Sequence, residues 1–345
     1  MQPTPESVLA VLADFPEGVS LPRLAKRLGV RASTLLRALA PLGEAGAGWL
    51  SVQVQDDEWR IRLTEAGRAR GGRMLTPDLP PLPQTQQRVA VRRVRQGHVQ
   101  PASDDLLAEE VPVALEYNGI SHATLLATPA DLEDFARGFS YTEGIIDGPA
   151  DIRGIDVQST AEGLVVQLEI ATAREVRLKE RRRALAGRTG CGLCGVESLE
   201  DVQRVLAPLA VHAPLSLGVL SEALAGMRAG QALHEATGAT HAAAWFDSRG
   251  RLLCLREDVG RHNALDKMIG ATLRAERVDG FAVVSSRASF EMVQKSVAAG
   301  IHTLVAVSAP TALAARLAHD MGLLLLGFSR GQSATVYTYP ERVQP

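Results

Sequence analysis

The chain has 345 residues, 46% of them hydrophobic and 22% charged, with a formal net charge of −2. This is ordinary globular composition, with room for two or three domains of about 100–200 residues each. Three features exclude classes of protein: no apolar run approaches the ~20 residues of a membrane helix, residues 1–6 lack a basic stretch leading into an apolar one, and the small, odd set Cys191, Cys194 and Cys254 is unlike a disulfide-stapled secreted scaffold. A cytoplasmic protein without membrane contact is expected, and in that reducing setting a close cysteine pair is catalytic or metal-binding.

Val8, Leu9, Val11 and Leu12 are spaced for one helical face. Leu21, Leu24, Ala25 and Leu28 repeat that spacing, with Ser20 where an N-cap belongs and a break at Gly29-Val30. A third helix is expected over 32–42, with Leu35, Leu36 and Leu39 facing inward. Residues 49–55 and 58–63 alternate as two strands around Asp56-Asp57. Residues 1–70 therefore read as a small winged helix-turn-helix domain. Residues 71–87, with Gly71, Gly72, Pro77, Pro80, Pro81 and Pro83, read as a linker that cannot continue a helix. Residues 1–100 carry 14 Lys and Arg against 9 Asp and Glu, and the remainder 23 against 30. A basic N-terminal part on an acidic body implies different partners for the two.

Residues 88–345 read as the main domain, in which strands alternate with helices. Residues 111–117 form a strand ending in the hairpin signal Asn118-Gly119, and 123–127 return as a second strand. Thr128-Pro129 is expected to start a helix, with Asp131 and Glu133 in its first turn. Residues 164–170 form a further strand, and 242–246 and 252–255 flank a turn at 247–250. The apolar runs 281–285, 303–307 and 323–327, separated by helical segments, point to an α/β sheet buried on both faces.

The sharpest motif is Gly187-Arg188-Thr189-Gly190-Cys191-Gly192-Leu193-Cys194-Gly195, with Lys179, Arg181, Arg182 and Arg183 upstream. Its glycines permit close approach, and the positive charge favours the thiolate, which is the nucleophile. Such a loop can accept sulfur from a persulfide and present it to an acceptor, the second thiol resolving the persulfide or assisting transfer. Three other readings compete. Half of a zinc site needs about four ligands, and neither a second CxxC nor a good completion through Cys254 exists. A thioredoxin-like dithiol follows a strand and opens a helix, and a structural turn rarely has so many glycines and arginines.

Four strand-end turns follow. In the segment 256–267, Gly260 relaxes the backbone where strand turns to helix, and Arg261, His262 and Asn263 line the mouth, where helix N-termini hold anions. A capped helix with surface ion pairs explains the same residues. Ser285, Ser286, Arg287 and Ser289 suit a phosphate or pyrophosphate. Ser308-Ala309-Pro310-Thr311 and Phe328-Ser329-Arg330-Gly331-Gln332-Ser333 follow the same logic, and ligands collect at carboxyl strand ends of open α/β sheets. His241 is a candidate catalytic group, a satisfied core histidine being the commoner reading. Zinc deaminase chemistry is argued against by Ala243 where a glutamate is needed and Gly190 before Cys191.

Across roughly 105–343 the sequence resembles the FdhD family of formate dehydrogenase accessory sulfurtransferases. The resemblance rests on Glu110-Val111-Pro112, Asn118-Gly119, Thr128-Pro129, Gly138-Phe139, Glu143-Gly144-Ile145-Ile146, the segment 188–195, Thr237-Gly238 with His241, and the segments 257–267, 286–295, 308–311 and 327–340. It implies an α/β body of cytidine deaminase-like fold without zinc, in a homodimer. It implies sulfur taken from a cysteine desulfurase, carried as a persulfide on Cys191 with Cys194 as its partner. The acceptor it implies is the molybdenum bis-molybdopterin guanine dinucleotide of formate dehydrogenase, contacted by Phe328, Ser329, Arg330, Gly331, Gln332 and Ser333. The anion-friendly turns at Arg261, His262, Ser286 and Arg287 suit its phosphates.

Residues 1–80 depart from that family pattern. A winged helix binds DNA through its recognition helix, here 32–42 with Arg31 and Arg37. The basic excess is modest for DNA, and such modules also dock proteins. The alternative function is a DNA-binding regulator that senses molybdenum cofactor. It makes Arg31 and Arg37 essential and Cys191 dispensable, whereas the sulfurtransferase reading requires the reverse.

Overall fold

The computed structural model describes all residues except 1–2, 14, 16–17, 31, 44–45, 56–57, 69–80, 179–205, 275–277 and 345. The chain divides into two compact units, residues 1–79 and 80–345.

In the first unit α1 (Pro5–Ala13), β1 (Val19–Ser20), α2 (Leu21–Arg27) and α3 (Ala32–Leu39) precede the hairpin of β2 (Leu50–Gln55) and β3 (Glu58–Leu63). The sheet order is β1-β3-β2. The apolar positions at helical spacing, Val8, Leu9, Leu12, Leu24, Leu35 and Leu39, meet Leu50, Ile61 and Leu63 in one core. The third helix is shorter than expected: after Leu39 the chain tightens into a 3-10 turn, Ala40–Leu42. Pro41 has no N–H for the next α-helical bond. Ser20 occupies the N-cap of α2 without a side-chain cap bond.

The second unit opens with β4 (Gln86–Arg95) and β5 (His98–Ala108), a long hairpin turned at Gln96 (φ 50°) and Gly97 (φ 78°). Sequence reading places no hairpin here. Arg88 pairs with Asp104 and Arg93 with Asp105, so charge sits where an apolar stripe would have announced the strands. Gln86 and Gln87 of the expected linker belong to β4.

Next come β6 (Val111–Tyr117), β7 (Ile120–Ala127), α4 (Leu132–Thr142), β8 (Ile152–Ser159) and β9 (Leu164–Ile170), with sheet order β7-β6-β9-β8. Val113, Leu115 and Tyr117 of β6 alternate onto the face that packs Phe135 and Phe139 of α4. α4 starts at Leu132, four residues after the expected Thr128, and its N-cap Asp131 is left-handed (φ 52°). Thr128 is engaged elsewhere. Its N–H donates to Asp258, its hydroxyl accepts from the Val259 N–H, and its carbonyl accepts from Lys267 Nζ.

The remaining chain contains β10 (Leu215–Ser216), α5 (Gly218–Gly230), α6 (Ala232–Thr237), β11 (His241–Asp247), β12 (Leu252–Asp258) and α7 (Arg261–Arg274). Then follow β13 (Gly280–Val284), α8 (Phe290–Ala298), β14 (Thr303–Ala306), α9 (Ala312–Asp320), β15 (Leu324–Arg330), β16 (Ser333–Val336) and β17 (Val343–Gln344). The six-stranded sheet has order β12-β11-β13-β14-β15-β16, its centre β13-β14-β15 parallel and its outer pairs antiparallel. Trp245, Ala282, Leu304 and Leu325 face α7, α8 and α9. Their neighbours Phe246, Val283, Val305 and Leu326 face α5. Each central strand is apolar on both faces because helices cover both.

α4 and α7 cross where each has a glycine. A Cβ on Gly138 would run into the Asp266 carbonyl, and one on Gly270 into the Asp134 carbonyl. A buried polar joint flanks the crossing. Lys267 Nζ lies 2.7 Å from Asp258, both side chains fully buried. Asp258 also accepts from the Gly260 N–H and from Asn263 Nδ2. Lys295 Nζ reaches Asp266 at 2.9 Å and Glu143 at 2.8 Å. Attraction to these carboxylates holds the Lys295 ammonium above its ordinary pKa despite the burial that opposes it. The segment read as an anion-holding turn thus places Asp258, Asn263, Asp266 and Lys267 in the joint between the two sheets.

Candidate functional site

β11 runs antiparallel to β13, so the start of β11 lies at the edge where β13, β14 and β15 end. Open α/β sheets bind ligands at that edge. His241 opens β11 opposite Asp258. Ser285 follows β13 and is locked to β11: its N–H donates to the Ala242 carbonyl at 3.0 Å, and its hydroxyl accepts from the Ala242 N–H at 2.9 Å.

β15 is bent at its end. Its pairing with β16 slips between Gly327 and Arg330, and Phe328 there has φ 52°, a left-handed conformation that costs a non-glycine residue about 1–3 kcal/mol. Gly327 permits it, since a Cβ would lie 2.8 Å from Pro310 Cδ. Phe328 is turned outward, 49% exposed, and Ser329 inward, 1% exposed. The Ser329 hydroxyl is buried without a hydrogen-bond partner. An unpaired buried hydroxyl is expensive, and Ser329 stands in the lining of a cleft at this edge.

That cleft has a volume of about 620 Å³ and is lined by Arg228, His234, His241, Ser285, Ser329 and Arg330, with Leu224 and Met227 of α5 as an apolar wall. His234 Nδ1 lies 2.8 Å from the Thr240 carbonyl. A carbonyl only accepts, so Nδ1 carries a proton and donates it there. Burial, then the Arg261 charge, lowers the His241 pKa. His262 is lowered to about 4 by burial and then by Arg261, with Glu291 opposing. Both shifts favour the neutral ring, with burial the larger cause and the Arg261 charge the second. Arg261 Nε is itself buried without a partner.

Of the residues singled out by sequence, the cleft contains His241, Ser285, Ser329, Arg330 and Gly331. Phe328, Gln332 and Ser333 are exposed, and none of them lines it. Arg261 and His262 open α7 at the same sheet edge, with His262 Nε2 3.4 Å from Ser289 Oγ. Ser286 is buried and donates its hydroxyl to the Arg287 carbonyl, while Arg287 is exposed. These four do not line the cleft. His241 is half-buried in the cleft wall. Cys191 and Cys194 lie outside the described residues, as does Arg31. Sequence reading missed Arg228, Gln231 and His234, which sit on or beside α5 and α6 and carry no strand-end signature. Cys254 is half-buried, and burial pushes its thiol pKa up, away from nucleophilic use.

Residues 108–344 match the model of the FdhD/NarQ family. The chain belongs to that family. It is 59% identical over 256 residues to the sulfur carrier protein FdhD of Bordetella bronchiseptica, covering 73% of this chain and 93% of the relative. It is 52% identical over 264 residues to the sulfur carrier protein FdhD of Cupriavidus necator, covering 76% and 91%. Among solved structures it is similar to one described as a formate dehydrogenase accessory protein, from Desulfotalea psychrophila. That similarity has a TM-score of 0.61 at 25% identity and covers 76% of this chain and all of that one. The cleft and the polar joint of this FdhD/NarQ chain lie within the matched residues, whereas the first unit lies before them. Among the described residues no helix is long and apolar enough to cross a membrane.

Proposed function

We propose that this chain is a cytoplasmic sulfurtransferase that carries sulfur from a cysteine desulfurase to the molybdenum bis-molybdopterin guanine dinucleotide destined for formate dehydrogenase. The Cys191 thiolate attacks the outer sulfur of the desulfurase persulfide, the S–S bond breaks, the desulfurase thiolate leaves, and Cys191 holds the persulfide. The Cys194 thiolate then attacks Cys191 Sγ. The outer sulfur departs as hydrosulfide to the acceptor, a Cys191–Cys194 disulfide remains, and a cellular dithiol supplies the two electrons that reset it.

The observation that carries the acceptor assignment is the cleft at the carboxyl edge of the sheet, lined by Arg228 and Arg330 together with Ser285 and Ser329. About 620 Å³ is the size of a small-molecule pocket and suits one nucleotide arm of the acceptor. The apolar wall of Leu224 and Met227 suits a base, and guanidinium groups suit phosphate. GDP is the simplest probe of this reading. By calorimetry Arg330→Ala is expected to weaken GDP binding about tenfold, the loss of one charge-assisted contact. Equal affinity of variant and wild type would remove the phosphate role from this edge.

The mixed sheet between helical layers supports reading the body as the cytidine deaminase-like architecture without zinc. Helix, strand, two helices and hairpin in the first unit support a winged helix-turn-helix, with α3 and its exposed Arg37 facing DNA. The description of the similar solved structure as a formate dehydrogenase accessory protein supports formate dehydrogenase as the partner served. A homodimer is supported by the β4–β5 ribbon, whose Val94, Val99 and Leu107 are exposed.

A further inference from the structure

α6 forms one wall of the cleft through His234 and, just past its end, Thr240 and His241. It has six residues, none of them fully buried and Leu233 only partly so, so its apolar anchoring is slight. A helix this short is not stable by itself. β5 touches it and His234 Nδ1 meets the Thr240 carbonyl, and its first-turn N–H groups are tied to one side chain. Glu257, next to the end of β12, accepts the Leu233 N–H on Oε2 at 2.9 Å and the His234 N–H on Oε1 at 2.8 Å. These belong to the first turn of the helix, whose N–H groups have no intrahelical partner. Oε1 also accepts the Thr240 hydroxyl at 3.0 Å. Thr240 lies beyond Gly238, the left-handed residue (φ 69°) that ends the helix. One carboxylate therefore holds the first turn of α6 and Thr240, the residue beside His241.

We infer that Glu257 is the positioning residue of the nucleotide cleft: it touches no ligand and sets the wall that carries His234, Thr240 and His241. The opposite wall, Ser329 and Arg330, is set independently by the bend in β15. Cutting the Glu257 ties leaves that wall in place and frees the other, so the loss falls on ligand binding more than on folding. The inference rests on the cleft being the nucleotide site.

The test is GDP titration of full-length wild type, Glu257→Gln and Glu257→Ala, with a melting temperature for each. Glu257→Ala is expected to raise the GDP Kd about tenfold, equivalent to about 1.4 kcal/mol. Glu257→Gln falls between, because its amide oxygen still accepts from His234 and Thr240 while its NH2 group meets the Leu233 N–H. A merely structural glutamate would lower the melting temperature and leave the Kd alone. A Glu257→Ala Kd within twofold of wild type overturns the inference, as does Glu257→Gln binding no better than Glu257→Ala. If Glu257→Ala does not fold, a wild-type Kd for Glu257→Gln overturns it. If the wild type does not bind GDP, the nucleotide reading falls first and the inference with it.

Discussion

Gly270→Ala is expected to destabilise the second unit by about 3 kcal/mol, at the upper end of overpacking penalties. In a body of this size that lowers the melting temperature by roughly 6–12 °C. The reason is backbone contact. At Gly270 the new methyl would sit inside the van der Waals radius of the Asp134 carbonyl and 2.8 Å from the Gly138 nitrogen. No side chain can turn away to make room, so α4 and α7 must separate. Separation also disturbs the ion pairs at the two residues whose carbonyls are struck. Asp134 is held by Arg256 at 2.7 Å and by Arg274 at 3.2 Å, and Asp266 by Lys295 at 2.9 Å. Gly138→Ala meets the reciprocal obstacle at Asp266 and should behave alike. Gly148→Ala, with nothing within 4 Å of the added carbon, is the control and should stay within about 0.5 kcal/mol of wild type. Thermal melts of the three variants decide the matter, and a Gly270→Ala melt equal to the control would refute the close crossing.

Lys267→Met is expected to cost about 3–5 kcal/mol by chemical denaturation. It leaves the fully buried Asp258 carboxylate without the ammonium 2.7 Å away and strips the Thr128 carbonyl of its 2.9 Å donor. Burial already lowers the Lys267 pKa, with Asp258 opposing that shift, so the pair stands on mutual compensation rather than on surplus attraction. Removing both charges in Lys267→Met/Asp258→Asn should recover part of the loss, because the asparagine oxygen still accepts from the Gly260 N–H and Asn263 Nδ2, while its NH2 group meets the Thr128 N–H. A single variant as stable as wild type, or a double variant worse than both singles, would contradict the pair's role as the fixed joint between the two sheets.

The sheet was legible where its physics is two-sided. The runs 281–285, 303–307 and 323–327 are almost wholly apolar because helices cover both faces, and β13, β14 and β15 fall on them within a few residues. The hairpin at Asn118-Gly119 was legible from its turn, where both residues adopt positive φ. β4 and β5 were not, since charge on the ribbon erases the alternation that sequence reading depends on. Nor was the start of α4, because Thr128 and Pro129 look like a helix entrance until Thr128 is seen bound to Asp258 and Lys267 across the joint. The same long-range pairing explains the segment 256–267. Its charges look like an anion site locally, and contacts more than a hundred residues away turn several of them into structure. At the cleft, Ser329 and Arg330 were legible as a strand-end turn. Arg228 and His234 were not, since a helix surface residue announces no ligand until the layer above the sheet is in place.

The central claim is sulfur carriage on Cys191, and intact-protein mass spectrometry tests it most directly. Wild type and Cys191→Ala are each incubated with an active cysteine desulfurase and cysteine, then weighed before and after a thiol reductant. Wild type should gain the mass of one sulfur atom, about 32 Da, that the reductant removes, and Cys191→Ala should gain none. A gain that survives the substitution, or no gain on wild type beside a working desulfurase, would contradict the persulfide carrier and leave a cofactor-binding regulator in its place.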